Sequence, residues 1–373
     1  MSPAKLIQVG KYFPPHSGGM ESVLYDLTTG IDKREFNVKC LVTGTTPHNE
    51  IHFVNGVPVY KMSRPFEIAS TPISFSFMKR AKSLDADLLH VHLPNPLATL
   101  ALRKTKVPYV ITYHCDVLSY PWLNRLYLPL LREQLAQARA IITSSFELVD
   151  NSPVLRDFKN KCRVIPFGIN KKSFALTPSL QQMFDQLKNN FNTKTVVYVG
   201  RLVEYKGLAY LIRAMKRVDA VLLLVGDGPE QKALQTLAHS LGLTNKVHFF
   251  RNFPRHDLGV FYHLADVVVL PSIDEREAFG MCLIEGLACG CPLVTTDIPS
   301  GVKSVNVQNV TGLTVPPKDH VSLAMALNTI LGNDSLRARM SANAEIRFHD
   351  LFRLERMVES HQELYREVLN GVS

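Results

Sequence analysis

Residues 195–207 read Thr-Val-Val-Tyr-Val-Gly-Arg-Leu-Val-Glu-Tyr-Lys-Gly, and this segment specifies the architecture. Its first five residues are mostly apolar and β-branched, which predicts a buried strand that ends at Gly200. A short polar segment then leads, at Gly207, into an amphipathic helix that extends to Arg217. Strand, loop and amphipathic helix in this order form the repeating unit of a parallel sheet covered by helices.

The same unit recurs in both directions along the chain. Apolar runs of strand length alternate with segments of helical spacing, which predicts an α/β protein with two doubly wound parallel-sheet domains. The other predicted strands cover residues 5–9, 38–43, 88–92, 109–113, 140–144, 163–165, 220–225, 247–249, 267–270 and 293–295, and the other predicted helices cover residues 19–30, 231–241 and 351–369.

A connector of turn-forming residues, Pro-Phe-Gly-Ile-Asn-Lys-Lys, separates the two halves at residues 166–172. The chain has 373 residues, about twice the length of one compact domain. We therefore predict an N-terminal domain of residues 1–168 and a C-terminal domain of residues 172–350. We also predict a final helix in residues 351–373, and ordinary packing is enough to explain its apolar face.

Composition and charge exclude several classes of protein. With 46% hydrophobic and 20% charged residues, the chain is neither disordered nor collagen-like. Its longest apolar runs are far shorter than a membrane span, and the N-terminus has no signal peptide, so a cytoplasmic location is expected. The six cysteines lack metal-ligand spacing and are expected to be buried thiols. The net charge of +9 is uneven, because residues 1–170 contain 20 Lys and Arg but 13 Asp and Glu.

Three glycine-containing loops follow predicted strands, where open α/β sheets bind ligands. Gly18 and Gly19 precede the first helix, whose N-terminus could accept an anion. Arg201 and Lys206 suit a diphosphate, although two solvated charges would also fit the pattern. Gly228 lies in a Gly-Asp-Gly-Pro turn that could flank a base or ribose, and turn chemistry explains it equally well.

The sharpest motif is a pair of glutamates, Glu277 and Glu285, separated by seven residues. If a helix begins near Phe279 and Gly280, Glu277 lies just before its N-terminus and Glu285 lies about two turns along it. Two carboxylates so placed would hydrogen-bond the hydroxyls of a nucleotide-sugar, one at each end. The backbone N–H groups of Phe279, Gly280 and Met281 would face the same anion as Arg201 and Lys206.

Together these motifs resemble a family. The chain is similar, along nearly its whole length, to retaining glycosyltransferases of family 4 with the GT-B fold, which include bacterial mannosyl- and glucosyltransferases of cell-surface polysaccharides. The resemblance rests on Pro-Pro-x-x-Gly-Gly, Gly-Arg-Leu-x-x-x-Lys-Gly, Gly-x-Gly-Pro and Glu-x7-Glu. It implies two domains that face each other across a cleft, and a last helix that crosses back to the N-terminal domain.

The resemblance also implies roles for individual residues. His114 matches the active-site histidine near the transferred sugar, in a Tyr-His-Cys-Asp context where Cys115 departs from the usual serine. Glu277 would hold donor-sugar hydroxyls, and Arg201 and Lys206 would neutralise the diphosphate. The remaining residues implied in donor binding are Gly18, Gly19, Gly228, Phe279, Gly280, Met281 and Glu285.

The expected reaction is metal-independent and retains configuration. It transfers a hexose from a nucleotide-diphosphate sugar to a lipid-linked saccharide, as in O-antigen or other cell-surface polysaccharide synthesis. No Asp-x-Asp motif stands at a strand end, so no metal and no cofactor are expected, and a donor phosphate oxygen would take the acceptor proton. His90 and His92 lie on the same face of their predicted strand, but no third metal ligand accompanies them, so metal binding is not expected. GDP-mannose is favoured over UDP-hexoses only by the His-Cys-Asp context.

The surplus of Lys and Arg over Asp and Glu in residues 1–170 suggests an interaction surface. Cations follow an apolar and aromatic stretch at residues 73–78, and residues 122–132 are predicted to form a second such surface. Both suit an anionic bilayer, which predicts peripheral attachment to the inner face of the cytoplasmic membrane. The residues concerned are Lys79, Arg80 and Lys82 in the first surface, and Trp122, Leu123, Arg125, Leu126, Tyr127, Leu130 and Arg132 in the second.

Two other functions would share some of these features. A GT-B nucleotide-sugar epimerase, or a related enzyme without a lipid acceptor, would share the donor motifs and differ in releasing nucleotide without an acceptor. A nucleic-acid binder is suggested only by the basic charge, and no known reader motif accompanies it, so no nucleic-acid partner is expected. The linkage and the oligomeric state cannot be read from the sequence.

Overall fold

The computed structural model describes residues 2–14, 18–68, 71–116 and 121–371, without the side chains of residues 68 and 121–124. The chain forms two compact units. Unit 1 comprises Met1–Gly168 and Leu354–Ser373, and unit 2 comprises Ile169–Arg353. Both are parallel sheets covered by helices, so the predicted α/β, doubly wound fold class is confirmed.

Unit 1 is built on an eight-stranded sheet in the order β10-β9-β8-β7-β1-β2-β4-β3. Every pair of neighbours is parallel except β3 and β4. A two-stranded ribbon, β5 and β6, lies outside this sheet. The strands are β1 Ala4–Val9, β2 Phe36–Thr43, β3 Glu50–Val54, β4 Val57–Met62, β5 Phe66–Ile68, β6 Thr71–Ile73, β7 Leu88–Leu93, β8 Tyr109–Tyr113, β9 Ala140–Thr143 and β10 Cys162–Val164, and the helices are α1 Gly19–Gly30, α2 Phe75–Lys82, α3 Pro96–Leu102, α4 Pro121–Gln137 and α5 Phe146–Asn151.

The direction of chain progression reverses between β1 and β7. From β1 the chain moves to β2 on one side, and later returns to β7 on the other side. In open parallel sheets such a switch point leaves a crevice at the carboxyl ends of the strands, where ligands bind. The β7 and β8 strands are buried at every residue, as expected for central strands covered on both faces.

Unit 2 contains a six-stranded, all-parallel sheet in the order β13-β12-β11-β14-β15-β16. Its switch point lies between β11 and β14. The strands are β11 Thr195–Val199, β12 Val221–Val225, β13 Val247–Phe250, β14 Val267–Leu270, β15 Leu293–Thr296 and β16 Gly312–Val315, and the helices are α6 Pro178–Asn190, α7 Leu208–Ala214, α8 Gln231–Ser240, α9 Gly259–Leu264, α10 Met281–Ala288, α11 Val302–Val305, α12 His320–Leu331 and α13 Asp334–Leu351.

The last helix, α14 Leu354–Leu369, belongs to unit 1, so the predicted return to the N-terminal domain is confirmed. Its apolar face is buried, with Tyr365 fully covered. The Tyr365 ring meets Phe36 edge to face at 5.7 Å between centroids. On the exposed side, the Arg366 guanidinium pairs with the Glu35 carboxylate at 2.6 Å.

The β3–β4 hairpin, the β5–β6 ribbon and the edge strand β16 were not predicted. The β3–β4 hairpin turns at Asn55 and Gly56, whose φ angles of 49° and 77° are the positive values that a two-residue hairpin requires. An Asn-Gly pair is the sequence signal for such a turn, so this hairpin could have been found.

Candidate functional site

The unit 2 site is assembled by three loops at the carboxyl ends of adjacent strands. These loops follow β11, β12 and β14, and the first and third flank the switch point. Gly207 has a left-handed φ of 69°, and a Cβ there would lie 2.1 Å from the Pro271 carbonyl oxygen. Glycine at this position therefore lets the β11 loop pack directly on the β14 loop, which brings Lys206 to Glu277 across 71 residues of sequence.

Lys206 and Glu277 form a buried ion pair through Lys206 Nζ and Glu277 Oε2. Their side chains are only 12% and 9% exposed. The hydroxyl of Ser272 donates to the same carboxylate oxygen at 3.1 Å. Burial lowers the pKa of Lys206, but Glu277 together with Tyr198 and Cys282 raises it by more, so the pKa lies above the ordinary lysine value. The ammonium is thus a fixed positive charge at the switch point.

The predicted backbone N–H groups of residues 279–281 lie at the start of α10, which begins at Met281. Gly280 precedes it with a left-handed φ of 86°. The Phe279 side chain is buried and meets Phe352 edge to face at 6.1 Å between centroids. Packing therefore explains the Phe279 ring, and its predicted part in donor binding concerns the backbone alone.

Glu285 lies inside α10 and is buried. Its Oε2 accepts a hydrogen bond of 2.6 Å from the Tyr262 hydroxyl, and its Oε1 lies 3.5 Å from Arg255 Nε. Burial, and then the negative Glu285, raises the pKa of Tyr262 well above its ordinary value, so the hydroxyl stays protonated and donates. Neither partner was predicted from the sequence, since Tyr262 stands in an apolar stretch of the short helix α9 that is typical of core packing.

Gly228 and Arg201 occupy neighbouring loops. A Cβ at Gly228 would lie 2.2 Å from the Leu202 carbonyl oxygen, and Leu202 N donates to Asp227 O at 2.8 Å. Close backbone packing between the β11 and β12 loops thus requires glycine here, whatever else it does. The Arg201 side chain is exposed. The donor-binding roles of Gly228 and Arg201 remain predictions.

In unit 1, Gly18 and Gly19 lie at the N-terminus of α1, in the loop that follows β1. Gly18 is the residue before the helix, and its backbone is extended. A Cβ on Gly18 would lie 2.2 Å from the Glu21 carboxylate, a flexible side chain. The rest of the Gly-Gly loop, residues 15–17, is outside the described residues.

His114 follows β8 and is buried, with 5% exposure. Its Nε2 lies 3.0 Å from Nδ1 of His92, and its ring stacks on Phe167 at 5.1 Å between centroids. Burial and, to a lesser extent, His361 lower the pKa of His114 to about 3. The ring is therefore neutral at physiological pH and acts as a hydrogen-bonding group rather than as a cation.

His114 is the end of a buried cluster of four imidazoles. His90 and His92 stack at 4.4 Å between centroids, and His361 of α14 lies 5.5 Å from His90. Burial lowers the pKa of His90 and His92 well below the ordinary value and that of His361 to about 4. The contribution of α14 could not be predicted, because it depends on the return of the chain. Within residues 2–14, 18–68, 71–116 and 121–371, no three His, Cys, Asp or Glu side chains are arranged so that they could hold a metal ion together.

The two surfaces predicted to meet a membrane need correction. Phe77 and Tyr127 are core residues, with 0% and 9% exposure, because helix periodicity turns them inward. Phe75 and Leu126 are 73% and 71% exposed. The side chains of Trp122 and Leu123 lie outside the described residues. None of the helices in the described part of the chain is long and apolar enough to span a membrane.

Comparison with known proteins gives matches over almost the whole chain. Residues 181–347 match the family model for glycosyl transferases group 1, and residues 17–173 match that for glycosyltransferase family 4. The O-antigen chain mannosyltransferase C of Escherichia coli is 30% identical over 97% of this chain and 98% of its own length. The D-rhamnosyltransferase WbpZ of Pseudomonas aeruginosa is 31% identical over 91% of this chain and 90% of its own.

Among solved structures, sucrose-phosphate synthase from Thermosynechococcus elongatus superimposes with a TM-score of 0.83. It covers 99% of this chain and 100% of its own at 22% identity, a likeness that concerns the fold alone. The sequence relatives establish more than the fold, since their similarity spans both units. The chain belongs to glycosyltransferase family 4 and is a hexosyltransferase with the GT-B fold, of the kind that builds bacterial cell-surface polysaccharide.

Proposed function

We propose that the protein transfers a hexose from a nucleoside-diphosphate sugar to a lipid-linked saccharide, without a metal ion and with retention at the anomeric carbon. The observation that carries this proposal is the buried Lys206–Glu277 pair at the unit 2 switch point. An ammonium there offers positive charge to a diphosphate, and the carboxylate beside it offers acceptors to sugar hydroxyls.

Each side chain of the unit 2 site then has a role. Lys206 and Arg201 bind the diphosphate, and the N-terminus of α10 adds N–H donors to the same anion. Glu277 accepts hydrogen bonds from the donor sugar. Glu285, held by Tyr262 and Arg255, binds the ribose hydroxyls. Bound donor would draw Lys206 partly away from Glu277, so the resting ion pair keeps two buried charges compensated until the donor arrives.

The leaving group dominates the chemistry, because negative charge develops on the diphosphate as the glycosidic bond breaks. The fixed charge of Lys206 can stabilise it without a metal. The C1–O bond to the diphosphate breaks while the acceptor hydroxyl oxygen bonds to C1 on the same face. The hydroxyl proton passes to a donor phosphate oxygen, so the diphosphate leaves with it.

In unit 1 we assign His114 to the transferred hexose and the N-terminus of α1, at Gly18 and Gly19, to the donor phosphates. A neutral imidazole suits a sugar hydroxyl, because it hydrogen-bonds without adding charge. GDP-mannose is our preferred donor, on the His-Cys-Asp context at residues 114–116 and the mannosyltransferase named among the relatives.

We further propose that the enzyme works in the cytoplasm on the inner face of the membrane, through unit 1. Phe75 and Leu126 are exposed apolar side chains with exposed cations beside them in sequence, namely Lys79, Arg80 and Arg125. Each such cation near an anionic surface contributes about 1 kcal/mol. In co-sedimentation with anionic vesicles, Lys79→Glu with Arg80→Glu should weaken binding, whereas Lys216→Glu with Arg217→Glu in unit 2 should not. Equal binding to zwitterionic vesicles would remove the membrane proposal.

One experiment tests the proposed function directly. EDTA-treated enzyme is given a panel of sugar nucleotides with lipid-linked saccharides, and released nucleoside diphosphate and the anomeric configuration of the product are measured. We expect release that depends on the acceptor and a product of retained configuration. Release without an acceptor, an absolute requirement for Mn²⁺, or an inverted product would each contradict a separate part of the proposal.

A further inference from the structure

A chain of hydrogen bonds runs through the interior of unit 1 from α14 to His114. Tyr365 Oη accepts from Gln8 Nε2 at 3.2 Å, and Gln8 Oε1 lies 3.1 Å from His92 Nε2. His92 Nδ1 then lies 3.0 Å from His114 Nε2. Tyr365, Gln8, His92 and His114 are all at least 95% buried, so water does not compete for these bonds. We call these four residues the imidazole relay.

The Gln8 amide sets the direction of the relay. With the amide oxygen toward His92 and the amide nitrogen toward Tyr365, the oxygen accepts and His92 carries its proton on Nε2. In a neutral ring this leaves His92 Nδ1 as an acceptor, and the hydrogen bond to His114 must be donated by His114 Nε2–H. His114 Nδ1 is then unprotonated, and none of the described residues donates a hydrogen bond to it.

The other end of the relay agrees with this direction. Tyr365 Oη, having accepted from Gln8, donates its own hydrogen to His90 Nδ1 at 2.6 Å. His90 Nε2–H then donates to the Thr112 hydroxyl, also at 2.6 Å. Burial keeps the imidazoles neutral by lowering their pKa, so the tautomer, and not the charge, distinguishes the states available to His114.

We propose that Gln8 and Tyr365 are positioning residues that act through His92 to hold His114 as the Nε2-protonated tautomer, which leaves Nδ1 to accept a hydrogen bond from a hydroxyl of the transferred hexose. The part of this inference that concerns the hexose rests on the proposed function. The tautomer itself does not. The C-terminal helix thereby contributes, through Tyr365, to the chemistry of the site and not only to packing.

The tautomer is measured by ¹⁵N NMR of histidine-labelled enzyme without substrate. In the wild type, we expect proton-coupled Nε2 and unprotonated Nδ1 for His114, assigned through His114→Gln. Tyr365→Phe keeps the ring volume but removes the hydroxyl, and should yield a mixture of tautomers. Tyr109→Phe is the matched control, because the Tyr109 hydroxyl is buried in the same unit but donates to the Gln134 carbonyl at 2.8 Å. An Nδ1-protonated His114 in the wild type would overturn the relay.

Kinetics separates positioning from general loss of structure. We expect kcat/KM for hexosyl transfer to fall about five- to tenfold in Tyr365→Phe, the loss expected for one buried hydrogen bond, and to stay unchanged in Tyr109→Phe. A donor lacking the hydroxyl that meets His114 should be used equally by wild type and Tyr365→Phe. Equal losses in both tyrosine variants would contradict the positioning role.

Gln8 provides a second, independent test. Gln8→Met removes the acceptor for His92 and should scramble the His114 tautomer, whereas Gln8→Glu retains an acceptor oxygen and should preserve it. A purely structural role predicts that Gln8→Glu, which places a carboxyl group in the core, is the more damaging change. If no sugar nucleotide supports transfer, the proposed function fails, and the NMR result still decides the relay.

Discussion

The carboxyl edges of the two sheets have the same architecture, but the buried side chains there are neutral in one sheet and charged in the other. In unit 1 the buried polar groups near the switch point are neutral imidazoles, of which His92 and His114 are hydrogen-bonded and His90 and His92 are stacked. In unit 2 they are ions, with Lys206 paired to Glu277 and Arg255 beside Glu285. The doubly wound fold thus supplies a crevice, and the side chains at the strand ends decide which chemistry it serves.

Under the proposed function, this difference matches the two parts of a sugar nucleotide. A diphosphate needs fixed positive charge, and unit 2 holds that charge in a buried setting where it is strongest. A hexose needs hydrogen-bond partners without charge, and in the proposed function the neutral rings of unit 1 provide them. The two regions should therefore respond differently to substitution, to pH and to salt.

Removal of the ammonium should have the most severe consequence. Lys206→Met leaves Glu277 buried without its counter-charge, which we expect to cost about 3–5 kcal/mol in the free energy of unfolding. The rate of transfer should fall about 10²–10³-fold, as when a preorganised donor to a developing anion is lost. Chemical denaturation and steady-state kinetics measure the two effects.

The double variant Lys206→Met with Glu277→Gln separates stability from catalysis. Because it removes both charges, it should regain most of the unfolding free energy, but not the rate. Lys171→Met is the control, since the Lys171 ammonium is exposed and 3.7 Å from Glu345. Recovery of activity in the double variant would show that Lys206 serves the fold and not the diphosphate.

Mild acid should destabilise unit 1. Its four buried imidazoles have lowered pKa values in the folded state, so the unfolded state binds more protons below pH about 6.5. Stability is therefore complete above this pH and falls below it, by about 1 kcal/mol per imidazole between pH 6.5 and 5.5. Relative to the intrinsic exchange rate at each pH, hydrogen exchange of unit 1 peptides should accelerate over this interval.

Unit 2 offers the internal control for the acid experiment. The histidines of residues 169–353, all of which the structure describes, are exposed or partly exposed, and burial lowers the pKa of partly exposed His248. In addition, His361→Phe should reduce the proton uptake of unit 1 on unfolding by about one. Equal acid sensitivity of both units would contradict the assignment of neutral rings to unit 1.

Loss of the Tyr262 hydroxyl should have a moderate effect. Tyr262→Phe deprives the buried Glu285 carboxylate of its 2.6 Å donor, which we expect to cost about 1–3 kcal/mol. If Glu285 binds the ribose, KM for the donor should rise by about tenfold while kcat changes little. Half-buried Tyr210 gives the matched control Tyr210→Phe. A change in kcat alone would assign Tyr262 to a different step.

Loss of the exposed ion pair that joins α14 to Glu35 should have the smallest effect. Arg366 is exposed and pairs with Glu35, so Arg366→Ala should lower the free energy of unfolding by less than about 1 kcal/mol. The transfer rate should not change. Because the neighbouring Tyr365→Phe is expected to slow transfer, this pair of variants shows whether α14 acts through its buried face. A slow Arg366→Ala enzyme would argue for a general effect of helix docking.

Local sequence signals predicted most of the fold. The strands at residues 109–113, 195–199 and 267–270 have the bounds expected from their apolar runs, because fully buried strands carry an unambiguous pattern. Helix α1 likewise covers residues 19–30, as predicted. The β3–β4 hairpin was missed, since its strand β3 is an exposed edge strand without a buried face.

The candidate site could be predicted only in part. Lys206, Glu277 and Glu285 stand in motifs at strand ends, so their proximity follows from topology. The partners that determine their hydrogen bonding and charge do not follow from topology. Gln8 and Tyr365 are separated by 357 residues, and no local pattern marks them as neighbours. Tyr262 and Phe279 both look like core residues in the sequence. Only the structure shows that Tyr262 hydrogen-bonds Glu285, whereas the Phe279 side chain packs against Phe352.

The most direct test of the account is calorimetric titration of a nucleoside diphosphate into EDTA-treated enzyme, wild type and Lys206→Met with Glu277→Gln. We predict binding without metal in the wild type and about 10- to 100-fold weaker binding in the variant, because a charge-assisted contact to the diphosphate is lost. Unchanged affinity in the variant, or binding that appears only when Mn²⁺ is added, would contradict the claim that unit 2 binds the diphosphate with its own buried charge.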